Sequence, residues 1–254
     1  MPPHREPLSV TIITLNAALQ LKDCLESCRF ADEVIVVDSG STDGTQALAE
    51  RFGARVIHQD WLGFGRQKQF AVDAAQNDWV LCLDADERVS PALGAAIVGA
   101  LAAPAATAFR FARCNRFLGR YLRHGEGYPD WSLRLFDRRH ANWSNDPVHE
   151  KVVAKGNIET LPGDLLHDSA ESLSSYLAKQ NRYTTLAAES AFAAGKRADL
   201  ARIALSPLVR FVKFFLLRQG FRDGLPGFVH IVIGCFNSFC KYAKMREMQS
   251  PTRQ

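Results

Sequence analysis

The sequence predicts an α/β fold in which a parallel sheet is covered on both faces by helices and followed by a helical C-terminal extension. Three observations carry this. The runs "LSVTIITL" (8–15), "EVIVVD" (33–38) and "WVLCL" (79–83) have the near-continuous hydrophobicity of strands buried on both faces. Segments of helical composition separate them, the alternation that parallel sheets require. From Ser172 onward the strand pattern gives way to helical composition.

The elements follow in order. Asn16 is suited to cap the first helix, whose apolar face is Leu19, Leu21, Leu25 and Cys28. The second strand ends on Asp38 and opens into "SGSTDGT", rich in residues that tolerate tight turns. A helix over 45–52, a strand over 54–58 and a helix over 65–76 lead to the strand at 79–83, which stops at Asp84, Asp86 and Glu87. Ser90-Pro91 starts a helix over 91–102. "TAFRFARCN" and "WSLRLFDRR" read as strands of alternating character on either side of "RFLGRYLRHGEGYPD", a loop of a length that is often functional. Helices follow over 172–194 and, broken at Pro207, Gly220 and "DGLPG", over the remainder. The expected organisation is a catalytic domain over 1–170 and a helical region over 171–254.

Composition narrows the function classes. Over 254 residues, 47% hydrophobic and 23% charged content are globular values and argue against wholesale disorder. The six cysteines form no C-x-x-C pair, which points to reduced thiols in a cytoplasmic protein with neither a zinc site nor a disulfide framework. The first residues have no apolar signal region, and no stretch has the uninterrupted apolar length of a spanning helix. A net charge of +4 is too small to suggest nucleic acid, but its distribution is uneven: between Leu200 and Arg246 eight basic residues face a single acid, Asp223. In "LARIALSPLVRFVKFFLLRQ" the polar positions Arg202, Ser206, Arg210 and Lys213 fall on one helical stripe. A basic amphipathic helix of that kind fits an anionic membrane surface, and equally a helix packed on the catalytic domain with its stripe in water. His230, inside an apolar run, reads as a core histidine.

Ligands of open α/β sheets bind beyond the carboxyl ends of the strands, so Asp38 and Asp84 are expected to converge on one crevice. The acids of "DADE" repel one another, and more strongly as water is excluded. Either a solvated turn at a helix N-terminus or a bound divalent cation accommodates them.

The strand "VTIITLN", the loop "VVDSGSTDGT" and the "LDADE" segment, in this order and spacing over residues 8–90, resemble family 2 inverting glycosyltransferases of the GT-A type. "WSLRLFDRR", "VHEKV" and "RFVKFFLLRQGFRDGLPGF" resemble a narrower branch, the bacterial glucosyltransferases of the lipopolysaccharide inner core. The resemblance implies a Rossmann-like three-layer domain that moves a sugar, glucose from UDP-glucose, to a core sugar such as heptose with inversion. It implies Mg²⁺ or Mn²⁺ at Asp86 and Asp84, with Asp86 as the direct ligand and Asp84 as a ribose or metal-water contact. Thr14, Asn16, Asp38, Ser39 and Lys68, with Asp84, are implied as contacts of the nucleotide sugar. Ser41 and Asp43 shape the loop, Asp43 as a helix-capping acid, and Glu87 is expected to cap the following helix. Arg66 and Lys68 either reach the diphosphate or form a solvated helix face.

Inversion needs a base for the acceptor hydroxyl. The resemblance favours Glu150, in "NDPVHEKV", with His149 orienting it or contacting the diphosphate; Asp130, in "GYPDW", is the rival, and a surface salt bridge from Glu150 to Lys151 or Arg138 is the structural alternative. The chain carries a His-Glu pair where the commoner family pattern is Glu-Asp or Asp-Asp. The implied setting is cytoplasmic and peripheral on the inner face of the inner membrane, with a nucleotide-sugar donor, a lipopolysaccharide core acceptor and no nucleic acid. Another lipid-linked glycan, a protein acceptor, or nucleotide-sugar binding without turnover are the alternatives.

Overall fold

The computed structural model describes residues 5–146, 150–169 and 172–249. The three apolar runs are strands β1 (Leu8–Thr14), β2 (Glu33–Asp38) and β4 (Trp79–Asp84), and β3 (Arg55–His58) extends the parallel set on the β2 side. Alternate side chains feed two cores on opposite faces of the sheet. Leu8, Val10, Ile12, Leu81 and Leu83 pack on one face with helices α1 (Ala18–Ser27) and α4 (Pro91–Ala102). Ile35, Val37, Val80 and Cys82 pack on the other with Ala71 and Val72 of α3 (Phe64–Asp73). Helix α2 (Thr45–Arg51) joins β2 to β3. Because Thr14 of β1 is level with Asp38 and Ile13 with Asp84, both acids emerge at the same edge of the sheet.

The sheet is mixed, not all-parallel. Its order is β3-β2-β1-β4-β8-β6-β11-β5, in which β5 is Glu87–Val89, β6 Ala108–Phe117, β8 Asp130–Asp137 and β11 Ile158–His167. Strand β8 runs antiparallel to β4 and β6, and β11 antiparallel to β5. A separate two-stranded sheet pairs β9 (Ala141–Trp143) with β10 (Val152–Ala154). Pro162 and Gly163 obscure β11 in the sequence. Gly163 adopts φ +95°, and a Cβ there would lie 2.5 Å from the Leu93 backbone nitrogen, so only glycine lets β11 pass the start of α4.

The chain divides into two units. The first runs to Arg113 and resumes over Asp130–Asp168; the second comprises Cys114–Pro129 and the chain from Ser169 onward. Residues 114–129, which a cut at residue 170 leaves in the catalytic domain, therefore group with the C-terminal helices. Those helices are α5 (Leu173–Ala193), α6 (Leu200–Phe211), continued by a π-helical segment over Val212–Leu217, and α7 (Gly224–Gln249). Ser172 and Asp199 cap α5 and α6 through their side chains. The short strand β7 (Arg120–Tyr121) forms a hairpin with the end of β6. Asp223 is buried in this unit and accepts hydrogen bonds from the backbone N–H groups of Arg123 (2.9 Å) and His124 (2.7 Å). His230 is half-buried against Phe117 and Tyr176, as a core histidine, and burial lowers its pKa.

The polar stripe of α6 is split: Arg202 and Lys213 are exposed, as a basic surface facing lipid or water requires, whereas Ser206 and Arg210 are half-buried. Ser206 hydrogen-bonds Ser238 of α7, and Arg210 is half-buried with its Nε donating to Glu126 at 3.0 Å. The apolar side faces out, with Leu208 62% and Val209 66% exposed. Helical periodicity groups residues on one face but does not say which face is covered. Among the described residues, no helix is long and apolar enough to cross a membrane.

Candidate active site

The loop after β2 is built around one carboxylate. Asp38 is fully buried; its Oδ1 accepts from the N–H groups of Gly40 (3.0 Å) and Ser41 (2.8 Å) and from Gln46 Nε2 (2.6 Å). Its Oδ2 accepts from the hydroxyls of Thr14 (2.7 Å) and Ser41. Burial pushes the Asp38 carboxyl up, but these donors outweigh it and hold the pKa below the ordinary value. Asp38 and Thr14 thus organise the loop, and their polar atoms are engaged within the protein. Ser39 is half-buried, and its hydroxyl accepts from Gln67 Nε2 at 3.1 Å.

Asn16 does not cap α1. Its backbone has φ +51°, and its side-chain oxygen accepts from the Thr42 N–H at 2.9 Å, tying the first loop to the second. The caps come from across the crevice: Asp43 accepts from the Ala18 N–H (3.0 Å) at the start of α1 and from the Thr45 N–H (3.1 Å) at the start of α2. Asp43 is therefore the capping acid that the sequence suggested.

The acids after β4 meet cations supplied by the protein itself. Lys68, 5% exposed on α3, places Nζ 3.0 Å from Asp84 Oδ1 and 3.6 Å from Glu150 Oε1, with the Trp143 ring centroid 4.8 Å away. Arg134 of β8 donates from Nη2 to Asp84 (2.9 Å) and Glu87 (3.2 Å). Arg113 of β6 lies 3.5 Å from Glu87 and 2.7 Å from Asp130. One chain of ion pairs thus runs Glu150, Lys68, Asp84, Arg134, Glu87, Arg113, Asp130. Burial alone would raise the Asp84 pKa; Arg134 and Lys68 overcome it and hold the carboxyl well below the carboxylate range. Burial likewise opposes the charge of Arg134, but Glu87 and Asp84 raise its pKa above the usual arginine value.

Glu87 is not a helix cap. It is fully buried and accepts from the Asp84 N–H at 3.0 Å, while Ser90 caps α4 by accepting from the Leu93 N–H. Of the two basic candidates on α3, Arg66 is exposed and Lys68 is inside the site. Glu150 pairs with Lys68 in place of Lys151 or Arg138. Gly65 makes room for this arrangement, since a Cβ there would lie 2.5 Å from the Ser144 carbonyl oxygen and 3.2 Å from the Glu150 Cβ. His149 lies outside the described residues.

Asp86 stands apart from this chain, with Oδ2 3.2 Å from His167 Nε2 at the end of β11. Burial would lower the His167 pKa, but the hydrogen bond and charge of Asp86 raise it. Among the described residues no cluster of three or more His, Cys, Asp or Glu side chains forms a complete metal cage. An Asp86–His167 pair fits a divalent cation whose remaining ligands are phosphate oxygens and water, as such ions are held at phosphate sites. Asp84, with both oxygens engaged by cations, fits direct metal ligation less well. Among the described residues the buried Nη1 of Arg134 has no hydrogen-bond partner.

The family model for glycosyl transferase family 2 matches residues 9–154, more than half of the chain. The chain is 32% identical over 247 residues to the lipopolysaccharide core biosynthesis glycosyltransferase LpsC of Rhizobium meliloti, covering 94% of this chain and 92% of that protein. The chain belongs to glycosyltransferase family 2. An uncharacterized glycosyltransferase of Rickettsia bellii is 33% identical, with 95% of this chain and 86% of the relative covered. The glucosyl-3-phosphoglycerate synthase of Mycobacterium tuberculosis, solved with Mn²⁺, uridine diphosphate and glucosyl-3-phosphoglycerate, shares 26% identity over 44% of each chain at a TM-score of 0.37. The chain is a family 2 glycosyltransferase with a C-terminal helical extension.

For this family 2 enzyme, the sequence brought Asp84, Lys68 and Glu150 to one place but missed Arg113, Arg134, Gln67, Trp143 and His167. A signal existed for Arg134. In "WSLRLFD" it is the charged residue between Leu133 and Leu135, and a charge in a buried strand requires a partner. His167 had no comparable signal, because β11 was not legible as a strand.

Proposed function

We propose that this enzyme is an inverting glycosyltransferase that moves glucose from UDP-glucose to a lipid-anchored lipopolysaccharide core sugar, with Glu150 as the base. The observation that carries the assignment is the Lys68 ammonium held between Asp84 and Glu150, 3.0 and 3.6 Å away. It joins the base candidate to the acid at the end of β4. Similarity to LpsC over nearly the whole of both chains supports the acceptor class.

In the reaction, the acceptor oxygen forms a bond to the anomeric carbon as the bond from that carbon to the diphosphate oxygen breaks. The electron pair leaves with the nucleotide diphosphate, and the hydroxyl proton passes to a Glu150 carboxylate oxygen. Lys68 orients Glu150 and offers its charge to the departing phosphate. Asp86 and His167 would hold Mg²⁺ or Mn²⁺, which when bound supplies charge neutralisation at the diphosphate. Asp130 is the weaker base candidate because the Arg113 guanidinium donates to its Oδ2 from both Nε (2.8 Å) and Nη2 (2.7 Å), which occupies that oxygen with a cation of the protein's own.

The test is transfer from labelled UDP-glucose to extracted core oligosaccharide, with the product anomer read by NMR. Glu150→Gln is expected to lower kcat by roughly 10²-fold with donor affinity near that of the parent, and Asp130→Asn to retain most of kcat. A dead Asp130→Asn beside a fully active Glu150→Gln moves the base to Asp130; absence of transfer by the parent to any core acceptor refutes the function.

A further inference from the structure

Two features of the second unit share no residue with the candidate active site. The first is an exposed apolar face. On α6 and the π-helical segment, Leu205, Leu208, Val209, Val212 and Leu216 are exposed; on α7, Leu225, Phe228, Val232 and Phe236 recur every three or four residues and are exposed as well. The stripes join through aromatic rings. Phe211 stacks on Phe215 with centroids 4.9 Å apart, and Phe228 meets them edge-on at 6.4 and 5.9 Å. Continuous exposed apolar surface of this kind marks a site of association.

The second feature is a cavity of about 770 Å³ among α5, α6 and α7. Arg202, Arg210, Lys213 and Lys241 line it, against one acid, Asp199. Arg210 is tied to Glu126, whereas among the described residues no carboxylate pairs with Lys213 or Lys241. Leu205 and Val209 line the cavity and also belong to the exposed stripe, so the apolar face and the basic cavity share a border.

Charge decides the occupant. Asp223, the sole acid between Leu200 and Arg246, is buried and consumed by His124 and the neighbouring backbone, so the cations of this segment are uncompensated by any exposed acid within it. A second copy laid on the same face would set like charges against like. An anionic phospholipid leaflet offers acyl chains to the apolar stripes and phosphate to the cations.

We propose that the outward face of α6, the π-helical segment and α7 inserts into the interfacial layer of an anionic phospholipid bilayer, and that the bordering cavity takes a lipid phosphate headgroup. This deepens the reading of a lipid-anchored acceptor, on which its biological setting rests, and its test needs no glycosyl transfer.

The full chain is floated with vesicles of phosphatidylcholine alone and of phosphatidylcholine with phosphatidylglycerol. The parent is expected to partition onto the anionic vesicles. Leu208→Glu with Val212→Glu, at two exposed positions, is expected to lower partitioning at least roughly tenfold. Lys213→Ala with Lys241→Ala is expected to lose roughly fivefold per cation on anionic vesicles and nothing on neutral ones. Unchanged melting by circular dichroism shows that the variants fold. Undiminished partitioning by the folded Leu208→Glu/Val212→Glu variant overturns the proposal. So does glycerol phosphate binding in solution without vesicle binding, or a parent dimer that this variant dissociates and that binds no vesicles. Transfer to delipidated core oligosaccharide, measured in parallel, separates the two readings. Transfer without vesicle binding sinks this inference alone, and vesicle binding without transfer sinks the core-acceptor assignment alone.

Discussion

Replacing Arg134 with leucine removes the cation on which two carboxylates depend. Its Nη2 lies 2.9 Å from Asp84 and 3.2 Å from Glu87, and Glu87 is fully buried. At an effective dielectric of about 20, each contact represents roughly 5 kcal/mol of gross attraction, much of it cancelled by the desolvation of the guanidinium. Deletion of one partner leaves uncompensated buried charge, at a cost of about 3–5 kcal/mol. For a chain of this size that corresponds to a fall in Tm of about 6–20 °C. The loss has a pH signature. In the parent, the depressed Asp84 pKa contributes stability that is present above the unfolded value of about 3.9 and is lost as pH falls through the folded value. In Arg134→Leu the Asp84 carboxyl, left with Lys68 alone, is expected to have a higher folded pKa than in the parent, so less of its stabilisation is lost on acidification. The gap between parent and variant is therefore widest at neutral pH and narrows as pH falls below about 4. Urea unfolding followed by circular dichroism at several pH values measures it. A variant within about 1 kcal/mol of the parent at neutral pH, or a gap that widens with acid, would refute the reasoning; about 1 kcal/mol is the size of an ordinary surface effect.

Asp86→Asn is expected to abolish the dependence of transfer on divalent ions while the fold persists, checked by activity with and without EDTA; unchanged chelator sensitivity removes Asp86 from the metal site. Gly65→Ala, whose Cβ would lie 2.5 Å from the Ser144 carbonyl oxygen, is expected to displace the Glu150 segment and lower kcat by roughly 10²-fold with little change in Tm. Lys68→Met, which leaves Asp84 with Arg134 alone, is expected to destabilise the fold by less than Arg134→Leu, because Glu87 keeps its partner; comparison of the two urea midpoints decides.

The acids at the strand ends were legible because parallel strands buried on both faces announce themselves as apolar runs, and a charge that ends such a run marks the sheet edge. The partners of those acids were harder to see. Arg113 and Arg134 reach the site from strands that pair with the parallel set only after a long excursion of the chain, and sequence distance conceals the contact. Glu87 reads as a cap in the sequence because β5, at three residues, is too short to show a period of two. The stripe on α6 is legible as a set, but only Arg202 and Lys213 of it are exposed, while Ser206 and Arg210 are half-buried. The Arg210 and Ser206 partners, Glu126 and Ser238, belong to other elements, and burial of a polar face follows from partners, not from periodicity.

The saturated carboxylate of Asp38 has a kinetic consequence. Five donors from Thr14, Gly40, Ser41 and Gln46 fix the loop after β2 within the free protein, and Asn16 and Asp43 lock it to its neighbour. The entropy of ordering that loop is spent during folding, so a ligand that docks on it meets a surface already in its bound shape. Association is then a single encounter whose rate scales with ligand concentration, without the plateau that a slow closing step imposes.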